Sequence, residues 1–99
     1  MSDEKKDEKK SVPEDPTLPP ASISMLVSML GTQAMIALGQ MADPSSGQKV
    51  VRPNLARHYI DTLNMLEAKT KGNLSTEEAN LLTNVLHDLR IAFVASKKA

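Results

Sequence analysis

The sequence predicts an all-α protein, a small three-helix bundle behind a disordered, charged and proline-rich N-terminal tail. Three observations carry this. Apolar residues recur at helical spacing in three stretches between residues 22 and 95, and no segment sustains strand alternation. Asp43-Pro44 and Gly72-Asn73 separate those stretches as breakers. Residues 3–10 are all Asp, Glu or Lys, and Pro13, Pro16, Pro19 and Pro20 follow. That composition buries too little apolar surface to offset chain entropy. The expected division is a tail over residues 1–21 and one domain over residues 22–95, as a chain of 99 residues allows.

The first helix starts after Pro19-Pro20 with Ser22 as its N-cap. Ile23, Leu26, Val27, Leu30, Ala34, Ala37, Leu38 and Met41 share its inward face at helical spacing. Asp43-Pro44 is expected to end it, because a residue preceding proline disfavours the helical region. A turn-rich loop follows over residues 44–47.

Pro53 suits the first position of the second helix, where its missing N–H would be unpaired anyway. Leu55, Ala56, Tyr59, Ile60, Leu63, Leu66 and Thr70 are the expected inward face. Outside, Arg57 with Asp61 and Glu67 with Lys71 stand one turn apart, pairs worth roughly 0.2–0.5 kcal/mol each.

The corner comes next. Lys69 and Lys71 complement the dipole at the helix C-terminus, and Gly72 supplies the left-handed residue that ends many helices. After Asn73, Ser75 caps the third helix, and Glu78 three residues later completes a capping box. Leu74 before the cap can staple to Ala79. The third helix runs over residues 76–95, its buried stripe being Ala79, Leu82, Val85, Leu86, Leu89 and Phe93, with Leu81 and Ala92 at the margin.

Composition excludes several functions. The residues through Asp15 hold six acids and four lysines, leaving eight bases and six acids beyond them, a net of +2. Charge so weak and dispersed does not predict nucleic-acid binding, and one Phe, one Tyr and no Trp offer bases little to stack on. The absence of cysteine rules out disulfides, thiolate metal sites and a cysteine nucleophile. The amino terminus shows no apolar signal region, so a cytoplasmic location is expected.

The run of residues 60–78 is the most informative. It joins Ile60-Asp-Thr-Leu63, then Lys69-Thr-Lys-Gly-Asn-Leu74, then Glu77-Glu78, between an earlier Leu38-Gly39 step and a later Leu89-Arg90. Together these resemble the bacterial family known as domain of unknown function 1844, over roughly residues 23–94. The family often has an aromatic residue near the start of its first helix, where this chain has Ile23 and Met25. The resemblance implies a small bacterial helical protein whose leading helix ends at the Leu-Gly step. It implies no activity.

The residues themselves show little chemistry. His58 and His87 are the only imidazoles, too few for the three or four ligands a metal needs, and they read as solvated or capping groups. Glu77 and Glu78 point about 100° apart on a helix, so they do not share a substrate, and dipole compensation with capping accounts for both. No phosphate loop, nucleophile elbow or Ser/His/Asp set occurs. The expectation is therefore a non-enzymatic protein with no catalytic, metal or cofactor residues. Asp61, Thr62, Lys69, Asn73 and Arg90 read first as a hydrogen-bonded corner, with Asp61 pairing Arg57 or Arg90, and second as a polar recognition patch.

The first helix stands apart. No residue between Pro16 and Ala42 is charged, whereas a surface helix of a lone bundle normally carries charge outside. Met25, Met29 and Ile36 form a second apolar face, and Ser24, Ser28, Gly31 and Gly39 a side of small residues. Two short helices cannot cover all of this. Copies of the chain could associate through Met25, Met29 and Ile36, which small chains with marginal cores often do. A different protein could dock there, since methionine adapts to varied surfaces. About twenty uncharged residues could also enter a membrane, although Thr32, Gln33 and Gln40 weaken that reading. Self-association is the leading expectation, with membrane association through this helix as the alternative.

Overall fold

The computed structural model describes residues 15–98. The expected tail over residues 1–14 lies outside them, and residues 15–21 are exposed without regular secondary structure. Three helices follow: α1 (Ile23–Ala37), α2 (Pro53–Thr70) and α3 (Thr76–Lys98). Each packs against the other two. Around their common axis Val27, Leu38, Leu63, Leu82, Leu86 and Leu89 are fully buried, with Ala34, Ala37, Ala56 and Ile60 between them.

Helix α1 is shorter than its apolar run suggested. Ser22 caps it as expected, its hydroxyl accepting from the Met25 N–H at 3.0 Å. It stops at Ala37 rather than at Asp43-Pro44. Gly39 turns to φ +77°, its N–H donates to the Ile36 carbonyl, and the Gln40 N–H donates to that of Met35. These two bonds form the double closure of a helix ended by left-handed glycine. The Leu-Gly step is therefore the stop signal, and it acts before the proline can. Fifteen residues at about 1.5 Å each fall short of the roughly 30 Å of a bilayer interior. No helix among the described residues is long and apolar enough to cross a membrane.

Residues 39–52 close on themselves. Leu38 and Val51 form an isolated antiparallel bridge, and the Arg52 N–H reaches the Ala37 carbonyl at 2.6 Å. Asp43 organises the turn: its Oδ1 accepts from the Ser45 N–H at 2.9 Å and the Ser45 hydroxyl at 2.8 Å. Its Oδ2 lies 3.4 Å from the Arg52 guanidinium. These bonds, the Ser45 N–H foremost, hold the Asp43 carboxyl below the usual range. Arg52 then precedes Pro53, which opens α2 at its first position as the sequence requires.

The corner between α2 and α3 is a type II turn rather than a glycine-ended helix. Lys71 is extended at φ −55°, ψ 129°, Gly72 follows at φ +87°, and the Asn73 N–H donates to the Thr70 carbonyl. Gly72 thus supplies the expected positive φ within a different motif. The capping box closes in both directions. Ser75 N–H donates to Glu78 Oε1 at 2.8 Å, and Glu78 N–H donates to the Ser75 hydroxyl at 3.1 Å. Helix α3 continues to Lys98, past the expected end at residue 95, because no breaker intervenes.

Four residues assigned to inward faces are exposed. Leu26 and Leu55 each lie about 100° round from a buried neighbour, Val27 and Ala56. Met41 stands beyond the end of α1, where helical spacing no longer applies. Ala79 belongs to the first turn of α3, and the burial of that helix begins at Leu82.

Candidate functional site

Helix α1 presents the most unusual surface. Its buried side is Val27, Gly31, Ala34 and Ala37. At about 100° per residue, Met25, Met29, Thr32 and Ile36 fall together on the opposite side, and none is charged. Met29 is 59% exposed, while Met25 and Ile36 are partly buried. Met25 and Met29 border a groove of about 480 Å³ with Leu26, Leu30, Gln33 and Tyr59 of α2. Ile36 is outside that groove, one turn and more toward the Leu38–Val51 bridge. Of the three residues singled out by sequence, two therefore meet in one groove and the third extends the same stripe.

The opposite flank of α1 has a second hollow, of about 270 Å³, bordered by Gly31, Met35, Met41, Val85 and Leu89. Of the small residues on this side, Gly31 finds its use here. A Cβ on Gly31 would lie 3.1 Å from Val85 Cγ1, so glycine lets α3 approach α1 closely. Ser28, on the same side, is exposed.

At the corner, Lys71, Gly72, Asn73, Ser75 and Glu78 build the turn and cap described above. Beside them Glu67, Lys71, Leu74, Ala79, Leu82 and Thr83 border a groove of about 520 Å³. Leu74 packs on the core and shares this groove with Ala79, the two ends of the expected staple. Leu74, Ala79 and Leu82 give this groove an apolar lining, with one acid, Glu67, and one base, Lys71, beside them.

The polar residues of the α2–α3 face take other partners than their spacing suggested. Arg57 forms no ion pair with Asp61; its guanidinium lies 5.4 Å from the centre of the Phe93 ring. The Lys97 ammonium lies 4.8 Å from that ring centre too. Arg90 donates to the Asn64 side-chain carbonyl instead of reaching Asp61. Thr62 donates to the His58 carbonyl. Among the described residues, Arg52 with Asp43 is the one ion pair, so the expected Glu67–Lys71 pair is also not made. Asp61 still shares a hollow of about 190 Å³ with Arg57, Arg90 and Phe93. His58 meets Tyr59 edge-on with ring centres 6.0 Å apart, and His87 is exposed. No three His, Asp or Glu side chains converge as metal ligands would, among the described residues.

Sequence reasoning did not find Tyr59 as a wall of the α1 groove, nor Phe93 as the seat of two cations. Both depend on how the helices are placed against each other. The isolated tyrosine beside an uncharged helix was the only signal available.

A family model described as "Domain of unknown function (DUF1844)" matches residues 20–95. Comparison with curated proteins and with solved structures gives no match.

Proposed function

This chain belongs to the DUF1844 family, and we propose that it is a non-enzymatic, cytoplasmic bacterial protein that assembles with copies of itself through the outward face of α1. One observation carries the reading: the side of α1 opposite the core is formed by Met25, Met29, Thr32 and Ile36, without a charge. The outer face of a helix in a lone bundle is normally polar and charged. In a twofold assembly the same patch meets itself, so charges close to the axis face their like, while those away from it can pair with opposite ones. An uncharged stripe meets no such repulsion, and it suits a second copy. The small core points the same way, since among the described residues only seven side chains larger than alanine are buried in it. The groove beside α1 supports the absence of catalysis. Ser28, Thr32 and Tyr59 bring hydroxyls to it, and no acid or imidazole lines it to activate them.

Sedimentation of the full chain and of the Met29→Asp/Ile36→Asp variant tests this. The wild-type chain should exceed its 10.7 kDa monomer mass, and the variant should fall to it. Because Ile36 is partly buried, the variant's helicity is checked by circular dichroism, with Met29→Asp alone as the milder form. A monomeric wild type, or well-folded variants of unchanged size, would remove the reading.

A further inference from the structure

The chain has no cysteine, so its oxidisable sulfur is all thioether. Four of its six methionines stand on α1 or just beyond it. Met25 and Met29 border the Tyr59 groove, and Met35 and Met41 border the hollow against Val85. Leucine matches methionine in helix propensity and would fill these places with better-defined rotamers. What methionine adds is a flexible side chain whose sulfur a peroxide can oxidise.

We infer that α1 carries a peroxide-sensitive release for the assembly, with Met25 and Met29 as the oxidised residues. The inference rests on the self-association reading. In the chemical step, a sulfur lone pair attacks one oxygen of a hydroperoxide; the S–O bond forms as the O–O bond breaks. The departing hydroxide or alkoxide takes up the proton of the transferred oxygen. Sulfur is oxidised by two electrons, and the peroxide is reduced to water or an alcohol. The sulfoxide is polar where the stripe was apolar, so pairing two such faces now requires dehydrating four sulfoxides per twofold interface.

Exposure adds a kinetic handle. Met29 in α1 is 59% exposed and Met65 on the outer side of α2 is 50% exposed. In the free chain both should oxidise at comparable rates, while assembly shields Met29 and leaves Met65 open.

The test treats the full chain with hydrogen peroxide, maps added oxygen by peptide mass spectrometry and follows size by sedimentation. A Met25→Leu/Met29→Leu variant runs alongside. The expected result is sulfoxide at Met25 and Met29 with self-association weakened about tenfold or more, while the leucine variant holds its size through the same treatment. Slower Met29 oxidation at high protein concentration, relative to Met65, would support it further. The inference is overturned if Met29 carries sulfoxide and size is unchanged. It is also overturned if Met65 is fully converted while Met29 stays unmodified, or if the leucine variant dissociates equally. A wild-type chain that is monomeric before any peroxide is added overturns the self-association reading itself, and the switch falls with it.

Discussion

Gly39 lies so close to Val51 that a Cβ at residue 39 would stand 2.8 Å from Val51 Cγ2. The glycine thus does two things at once: it ends α1 with a positive φ, and it admits the strand-like return of residues 50–52 alongside Leu38. Gly72 has a similar φ of +87° but nothing within 4 Å of its would-be Cβ.

That contrast gives a prediction. Gly72→Ala should cost about 1 kcal/mol, the strain of a left-handed alanine. Gly39→Ala should cost about 2 kcal/mol, because Val51 must also leave its rotamer. Val51 is half-exposed, so Val51→Ala should be mild alone and should recover part of the Gly39→Ala loss but none of the Gly72→Ala loss. Urea unfolding of the three single and two double variants measures this, and equal costs at both glycines would contradict it.

The capping box predicts that Ser75→Ala destabilises the chain by about 1 kcal/mol, since the Glu78 N–H loses its acceptor at the start of α3. Glu78→Ala should cost less, as the Ser75 N–H it leaves is exposed to water. Thermal melts of the two variants and their double should show less than additive losses.

The loop after α1 should be sensitive to acid. The Asp43 carboxyl is held low in the folded chain by the Ser45 N–H first and then by the Ser45 hydroxyl and Arg52. A depressed carboxyl contributes stability above the unfolded value of about 3.9 and loses it as pH falls through the folded value. The Asp43 contribution to loop order should therefore be complete at neutral pH and weaken only below about pH 4. The Ser45 amide resonance, followed by NMR against pH, should titrate below the ordinary Asp midpoint. A midpoint at or above that value would contradict the bonding described.

How far the sequence could be read follows from how local each signal is. Ser22, Pro53, Ser75 and Glu78 act within four residues of themselves, and each stands where its spacing put it. The end of α1 was harder because two stops compete, Leu38-Gly39 and Asp43-Pro44; the resemblance placed it at the first and the apolar periodicity at the second. The closure through Val51, a residue twelve positions away from Gly39, decides for the first. Arg57 illustrates what spacing cannot supply. Asp61 is one turn away, but the Phe93 ring arrives from α3 and takes the guanidinium. The Met25–Met29 stripe was legible as an uncharged face, whereas its groove with Tyr59 required the packing of α1 on α2.

The most direct measurement uses a mixture of isotope-labelled and unlabelled full-length chain, with NMR set to record only contacts between copies. The account predicts intermolecular cross-peaks from the methyl groups of Met25, Met29 and Ile36 to the same stripe of a second copy. Cross-peaks confined to another surface, such as exposed Ile91 and Val94 of α3, or none at all at high concentration, would contradict it.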